Sequence, residues 1–343
     1  MIVVCRVTTR CNLTCGFCAY DRRLPFARIS IHDRAVERLI ELLGAHRIAH
    51  PQRLLLSWLG GEPLLWRRWQ YWSRRARDCG LAVSATTNGS TLQQRAVRAA
   101  IIENFSELTI SVDAPGVRHD ELRGWPGGYE RICAAIAALV HERRQIGAPL
   151  LLRVNVVLMR RTLPQFPTLA RELGGLGVDE ISFNLLGGRD RPEFFAREAV
   201  APDALNHFLR ELPSLRSELA AHGTRILGDS SYGARLAAAS RGASWPISDC
   251  DPGEQFLFVD ERGRLSPCAF TGDSLGVPIM ELARIEDLGA QFRAMRASRR
   301  PQVCNDCPST QLAGKFVPAA GVDSRLGVPA PKRGNEMLDR ESA

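Results

Sequence analysis

The sequence predicts an α/β fold: a partial (β/α)6 TIM-like barrel followed by a small C-terminal α+β domain. Short apolar, β-branched runs alternate with amphipathic stretches, which indicates a parallel sheet. No glycine-rich dinucleotide fingerprint follows the first run, so a barrel fits at least as well as a doubly wound sheet. A chain of 343 residues is long enough to bury a sizeable core.

Six runs predict buried strands, and the stretches between them predict helices. One helix is expected at 31–45, opened by Ser30 with Asp33 as a capping pair, and another at 129–145. The predicted strands are Ile2–Val7, Leu54–Trp58, Leu81–Thr86, Leu108–Val112, Leu151–Leu158 and Glu180–Leu185.

Four regions follow from changes in this pattern. We expect the barrel at 1–200, a helical connector at 201–239, a domain of short strands and turns at 240–316, and a mobile tail at 317–343. The tail is rich in glycine, proline and charge and has little periodicity.

Composition points to a cytoplasmic protein. No apolar run reaches the roughly 18 to 20 residues of a membrane span, and the first residues do not form a signal peptide. The net charge of +8 comes from arginines scattered along the chain, a pattern that argues against nucleic-acid binding. Ten clustered cysteines in such a chain indicate metal or redox chemistry rather than disulfides.

Three cysteines lie on one short loop after the first predicted strand. Cys11, Cys15 and Cys18 can converge on one face of an iron-sulfur cube, and three thiolates leave one iron open for an exogenous ligand. A zinc site completed by a distant fourth ligand is the alternative.

This CxxxCxxC loop, with Phe17 before its last cysteine, resembles the signature of the radical S-adenosylmethionine (SAM) superfamily. The resemblance implies that Cys11, Cys15 and Cys18 hold a [4Fe-4S] cluster whose open iron is chelated by SAM. It further implies reductive cleavage of SAM to a 5′-deoxyadenosyl radical that abstracts hydrogen. The stretch from Phe17 to Tyr20 would edge the adenine pocket.

Further motifs of the family follow successive predicted strands, and the resemblance spans roughly residues 1–190. A GGEP turn occupies Gly60 to Pro63. Its glycines let the backbone approach a ligand closely, and its carboxylate can accept a hydrogen bond from the ammonium group of SAM. A TNG turn at Thr87 to Gly89 and an SVD strand end at Ser111 to Asp113 come next. The implied SAM-binding residues are Phe17, Gly60, Gly61, Glu62, Asn88, Ser111, Asp113 and, more weakly, Asn155.

Four later cysteines can ligate a second cluster. Cys250, twelve residues, Gly263, four residues and Cys268 precede a pair formed by Cys304 and Cys307. This arrangement resembles the Twitch form of auxiliary-cluster domains and implies one auxiliary [4Fe-4S] cluster; a four-cysteine zinc ribbon is the alternative.

The other three thiols have no assigned chemistry. Cys5, Cys79 and Cys133 lie within predicted strands or helices, where cysteine behaves as a small core hydrophobe.

A charged loop after the sixth predicted strand supplies candidate substrate contacts. Arginine forks suit phosphate or carboxylate and the acids suit hydroxyls or amines, while a self-paired surface loop is equally compatible. His119 and Asp120 could aid proton transfer, although a histidine near a turn is more often solvated. The candidates in the loop are Arg189, Asp190, Arg191 and Glu193.

Two substrate classes remain open: a small polar metabolite, oxidised or tailored in a biosynthetic pathway, or the side chain of a ribosomal peptide or protein. The cysteine loop begins only ten residues into the chain, leaving no room for a leader-recognition domain, which favours the small molecule. The resemblance also implies a reducing partner such as flavodoxin or ferredoxin.

Overall fold

A computed structural model describes residues 1–50, 53–188, 190–243 and 253–304, together with the backbone of 322–323 and 328–329. Cys250, Cys307 and Arg189 therefore lie outside the described residues, as does most of the expected tail.

The six predicted strands are confirmed to within about two residues at each end. The strands are β1 Ile2–Thr8, β2 Leu55–Gly60, β3 Ala82–Thr87, β4 Glu107–Ser111, β5 Leu151–Leu158, β6 Glu180–Leu185, β7 Arg225–Ile226, β8 Phe256–Val259, β9 Arg264–Ser266 and β10 Val277–Pro278, with a separate antiparallel pair β11 Val322–Asp323 and β12 Val328–Pro329.

Helices follow the strands on the outside of the barrel sheet, as the alternating pattern predicts. The helices are α1 Asp33–Ala49, α2 Trp69–Asp78, α3 Arg95–Asn104, α4 Val117–Arg123, α5 Gly128–Gln145, α6 Phe166–Gly175, α7 Pro192–Glu198, α8 Pro202–Ala220, α9 Ser230–Ser240, α10 Gly272–Leu275 and α11 Leu288–Ser298.

The order of the strands distinguishes a barrel from a doubly wound sheet. From β1 to β7 each strand pairs in parallel with the next one along the chain, without the reversal of order that a doubly wound sheet has at its centre. The described strands therefore form the predicted partial TIM-like barrel, and their carboxyl ends meet on one face.

The C-terminal segment extends this same sheet. Strand β8 pairs in parallel with β1 on the side away from β2, and β9 and β10 continue antiparallel beyond it. Leu257 and Val259 of β8 are fully buried, so the segment shares the core of the barrel.

The cap of α1 differs from the prediction. His32 is the capping residue, and its Nδ1 accepts from the backbone N–H of Arg34 at 3.2 Å. Ser30 instead bridges to Thr8 and donates its hydroxyl to the hydroxyl of Thr8 at 2.9 Å. The predicted pair of Ser30 and Asp33 was wrong, because the chain leading into α1 pairs with the end of β1 and takes up Ser30.

Among the described residues, no helix has the length and apolar character needed to span a membrane.

Candidate functional site

The site lies at the carboxyl ends of the barrel strands, where the loop after β1 carries Cys11, Cys15 and Cys18. Burial raises the pKa of all three thiols, that of Cys15 to about 12. The three are close enough for Cys11 and Cys18 to raise the pKa of Cys15 further. A bound cation would reverse this, because metal binding stabilises thiolates. The donor set therefore fits a metal cluster.

Polar groups of the chain surround the three sulfurs. The backbone N–H of Tyr20 donates to Cys18 Sγ at 3.3 Å, and Asn88 Nδ2 lies 3.7 Å from Cys11 Sγ. The Cys15 thiol faces the carbonyl oxygen of Arg123 at 3.9 Å. These contacts hold the loop from three sides.

The two glycines of the GGEP turn bring the end of β2 against the cysteine loop. A Cβ on Gly61 would lie 2.3 Å from the carbonyl oxygen of Arg10 and 3.0 Å from Cys11 Cβ, and one on Gly60 would lie 2.5 Å from the Thr8 carbonyl oxygen. The Gly61 N–H donates to that Thr8 oxygen at 2.8 Å. The two glycines thus let β2 approach the cysteine loop, and their close approach to a ligand stays a prediction.

Glu62 is fully buried beneath that loop. Its carboxylate accepts from the hydroxyl of Thr87 and the backbone N–H of Asn88, both at 2.7 Å, and from the N–H of Leu64 at 3.0 Å. Burial raises the pKa of Glu62 to about 7 against the effect of these donors. Glu62 therefore links the ends of β2 and β3, and its contact with SAM stays a prediction.

Asn88 connects the TNG turn to the cysteine loop. Its Nδ2 donates to Asn12 Oδ1 at 3.0 Å as well as facing Cys11, while its Oδ1 accepts from the N–H of Ser90 at 2.9 Å. The following Gly89 has φ +80°, which a side chain would strain. The side chain of Asn88 is thereby placed at the cluster face of the loop.

The SVD strand end holds a buried ion pair. Asp113 Oδ2 lies 2.7 Å from Arg123 Nη2, and its Oδ1 accepts from the backbone N–H of Val157 at 2.9 Å. Arg123, at the end of α4, also lies 5.2 Å from the ring centroid of Phe17. Its charge lowers the pKa of the Cys15 and Cys18 thiols against the larger effect of burial.

Arg123 is the functional residue that sequence reasoning missed. It follows Asp113 by ten positions and belongs to no motif, so nothing in its spacing marks it. The neighbouring Gly124 has φ +62°, and a Cβ there would lie 1.8 Å from Thr14 Oγ1, so the end of α4 lies directly against the cysteine loop.

Ser111 and Asn155 are neighbours across β4 and β5. Ser111 is half-buried, and Asn155 Oδ1 accepts from the hydroxyl of Ser182 at 2.9 Å. Ser111 is the last residue of β4, whereas Asn155 lies in the middle of β5, and their contacts with SAM stay predictions.

His119 is fully buried, so the expectation that it is solvated was wrong. Its Nδ1 accepts from the backbone N–H of Asp113 at 3.3 Å, and burial lowers its pKa to about 3. The helix α4 carries it inward, which spacing could not show. The carboxylate of Asp120 accepts hydrogen bonds from the backbone N–H groups of Gly127 and Tyr129 at the start of α5.

The charged loop after β6 is bound to the cysteine loop. Arg191 donates to the carbonyl oxygen of Cys18 at 3.3 Å and to Asp21 Oδ2 at 3.4 Å, and it pairs with Glu193 at 2.6 Å. Asp190 is exposed. Of the substrate candidates, Arg191 thus positions the cysteine loop, and contact with a substrate stays a prediction.

The predicted hairpin of the second cysteine group is present. Gly263, with φ +75°, lies in the turn between β8 and β9, and Cys268 follows β9. Cys268 Sγ lies 3.4 Å from Thr271 Oγ1, and Cys304 ends a short 3-10 turn.

Cys5 is buried in β1, Cys79 caps the end of α2 and Cys133 lies within α5, as predicted for structural cysteines.

Comparison with known proteins shows what the segment around the cysteine loop is similar to. Residues 5–156 match the model of the family described as the radical SAM superfamily. Curated relatives include an AdoMet-dependent heme synthase of Methanosarcina barkeri, 27% identical over 285 residues, covering 78% of this chain and 76% of the relative. A pre-heme d1 synthase of Dinoroseobacter shibae is 28% identical over 201 residues, covering 56% and 46%.

Solved structures share the fold. SuiB of Streptococcus suis bound to S-adenosylmethionine has a TM-score of 0.64 at 13% identity, covering 90% of this chain and 72% of that one. The protein anSMEcpe with bound AdoMet has a TM-score of 0.63 at 15% identity, covering 90% and 88%.

These matches show that residues 5–156 are similar to the radical SAM superfamily. The chain is an enzyme, and the similarity implies a [4Fe-4S] cluster together with SAM. The described cysteine loop is the part of the chain whose residues fit that cluster.

Proposed function

We propose that this enzyme cleaves SAM reductively and uses the resulting radical to abstract hydrogen from a small molecule. The observation that carries the proposal is the convergence of the three-cysteine loop with the GGEP, TNG and SVD strand ends at one face of the barrel. When bound, the cluster supplies the electron that cleaves SAM.

The residues of the chain would bind the cluster and SAM. Cys11, Cys15 and Cys18 would ligate three irons and leave the fourth for SAM. Asn88, whose Nδ2 faces Cys11 Sγ, would donate a hydrogen bond close to the bound cluster and SAM.

The remaining implied SAM contacts are arranged around the loop. Ser111 and Asp113 would face the ribose and carboxylate of SAM, and Asn155, beside Ser111, is a weaker candidate contact. Gly60 and Gly61 would set the distance to the loop. Phe17, packed at 6.0 Å from Phe194, would edge the adenine.

Arg123 contributes fixed positive charge beside the cysteine loop. Because it is buried and held by Asp113, it stabilises negative charge on Cys15 and Cys18 without reorganising. Its carbonyl oxygen also accepts from the N–H of Thr14 at 3.3 Å, which fixes the loop backbone.

The names of the curated relatives favour a small-molecule substrate. Three relatives are named as synthases of heme or pre-heme d1, and two of them match over more than three quarters of this chain. We propose a substrate of comparable chemistry, a carboxylated small molecule, because an arginine fork suits a carboxylate. Asp190, Arg191, Glu193 and Arg189 remain the candidate contacts.

A peptide substrate is the second candidate. Solved neighbours include SuiB bound to precursor peptide SuiA and anSMEcpe with a Cp18Cys peptide, but at 14% and 16% identity they share the fold alone. The two classes are therefore tested side by side.

The deciding measurement is 5′-deoxyadenosine released from SAM by the anaerobically reconstituted protein with a flavodoxin or ferredoxin reducing system. We expect release that increases with one small-molecule fraction of a cell extract and is abolished in Cys15→Ala. Cys133→Ala, which changes a partly buried cysteine of α5 outside the site, is the matched control and should retain activity. Stimulation by a peptide fraction alone would replace the small-molecule proposal, and no release under any condition would favour a zinc site.

We further propose an auxiliary [4Fe-4S] cluster on Cys250, Cys268, Cys304 and Cys307, in a domain at 240–316. Support comes from the hairpin that places Gly263 and Cys268 as the Twitch resemblance expects. Replacing Cys304 and Cys307 by alanine should remove about four irons per chain while SAM cleavage persists. The double variant Cys79→Ala/Cys133→Ala should keep its iron, and equal iron content in both variants would reject the assignment.

A further inference from the structure

A second metal-binding group lies at the end of α1. His46 in the last turn of α1 and His50, the residue directly after the helix, meet Glu286, which precedes α11. One ligand atom from each of the three residues lies within 4.8 Å of the other two. His46 Nδ1 is 2.8 Å and His50 Nε2 is 3.9 Å from Glu286 Oε1.

The three residues lie at the end of the barrel opposite to the cysteine loop. Helix α1 runs back from the carboxyl end of β1, so its last turn reaches the amino end of β2, where Leu54 and Leu55 begin the strand. The cysteine loop occupies the opposite, carboxyl ends of the strands. The histidines belong to no motif of the family resemblance.

We propose that His46, His50 and Glu286 bind a zinc ion. Imidazole nitrogen and carboxylate oxygen are characteristic zinc ligands, and three such ligands leave a fourth position for water. The distances already present need only small side-chain adjustments to reach a shared ion.

The three residues leave space for a fourth ligand, in surroundings that also hold the amino terminus at Met1 and Arg284, whose Nε lies 3.9 Å from Glu286 Oε2. The three residues line a pocket of about 190 Å³ with Arg53 and Glu254, which leaves room for a bound water. The last turn of α1 directs its carbonyl groups toward this end, so the helix dipole favours positive charge there. Arg53 is engaged with Glu107 at 2.5 Å and so does not take the carboxylate of Glu286.

A bound zinc would connect two distant segments of the chain. His46 and His50 belong to the first βα unit, and Glu286 belongs to the segment that leads into α11 and Cys304. Arg38 of α1 already donates to the carbonyl oxygen of Leu282 at 2.6 Å. The ion would therefore stabilise the docking of the C-terminal segment on the barrel, a role separate from SAM cleavage.

The test compares zinc content in the full-length, cluster-reconstituted protein equilibrated with micromolar free zinc. The double variant His46→Ala/His50→Ala should bind one zinc per chain fewer than the parent. The matched control is His207→Ala/His222→Ala, which removes two exposed histidines of α8 and the turn after it. Zinc held by cysteines is common to all three proteins and cancels in the comparison.

Iron content measured in the same samples shows whether each variant has folded and kept its clusters. If the double variant does not fold, Glu286→Gln tests the zinc site in its place, because this substitution preserves the size of the side chain. It should weaken zinc binding at least about tenfold. Zinc should also raise the melting temperature of the parent and of the control His207→Ala/His222→Ala, and not that of the site variants. Equal zinc content and equal melting shifts in the parent and a folded site variant would overturn the proposal.

Discussion

The close approach at Gly61 shows how single residues set the geometry of the cysteine loop. A methyl group there would overlap the carbonyl of Arg10 and press on Cys11 Cβ, and neither neighbour is the far end of a flexible side chain. The backbone of the loop would have to move.

We therefore expect Gly61→Ala to lower cluster occupancy. Displacing Cys11 misplaces one of three ligands, so iron content and 5′-deoxyadenosine release should both fall by at least about tenfold. Gly175→Ala, where a Cβ meets no atom within 4 Å, is the control and should match the parent. Full iron content in Gly61→Ala would contradict the packing argument.

His119 couples stability to pH through its burial. Its folded-state pKa is lowered to about 3 from an ordinary 6.5, so the unfolded chain binds a proton that the folded chain excludes. The contribution of this group is present above pH about 6.5 and decreases as pH falls toward 3.

We predict that His119→Asn removes this part of the pH dependence. Between pH 7.5 and 5.5 the parent should lose about 1.4 kcal/mol from this group, while the variant is less stable overall but loses correspondingly less. Denaturant unfolding of both proteins at the two pH values measures the difference, and acid effects common to both cancel. Parallel losses in the two proteins would show that His119 does not titrate as described.

At the scale of elements, α4 is the piece that secures the cysteine loop. Its last residue, Arg123, contacts the loop through its carbonyl oxygen and contacts β4 through the buried pair with Asp113. The helix thus joins two strand-end motifs that the sequence presents separately.

The buried pair should behave as a unit in a double-mutant cycle. Asp113→Asn or Arg123→Gln alone should each cost about 3 to 5 kcal/mol of unfolding free energy, because one buried charge is left unpaired. The combined variant should cost less than the sum of the two.

The exposed pair Arg118 and Glu121, on the same helix at 2.6 Å, is the control. Its removal should change stability by less than about 1 kcal/mol, since solvent screens it. Additive losses at Asp113 and Arg123, measured by denaturant unfolding, would mean that the two charges do not depend on one another.

At the scale of the whole molecule, the sheet does not stop at the barrel. Strand β8 lies against β1, so the C-terminal segment covers what would otherwise be an exposed edge next to the cysteine loop. Arg6 of β1 also pairs with Glu261 after β8 at 2.5 Å.

We expect β8 to open only together with β1. In native-state hydrogen exchange, the protected amides of β8 should exchange with free energies within about 1 kcal/mol of those in β1, whereas the two-residue edge strand β7 should exchange faster. Much faster exchange in β8 would indicate that the C-terminal segment unfolds by itself.

The sequence by itself determined the six barrel strands, the motif residues at their carboxyl ends and the hairpin around Gly263. These features follow from local patterns: β-branched runs of strand length, glycines where backbone must approach, and cysteine spacings that fit one cluster. Parallel strands bring their carboxyl ends to one face, so the order of the motifs sufficed to place the site.

Only the tertiary structure decided how that site is held. Arg123, His119, Arg191 and the sheet partner of β1 depend on contacts between residues that are six to more than two hundred positions apart. The grouping of His46, His50 and Glu286 is of the same kind. Such contacts leave no period or spacing in the chain, because burial and charge pairing depend on which surfaces meet after the elements have formed.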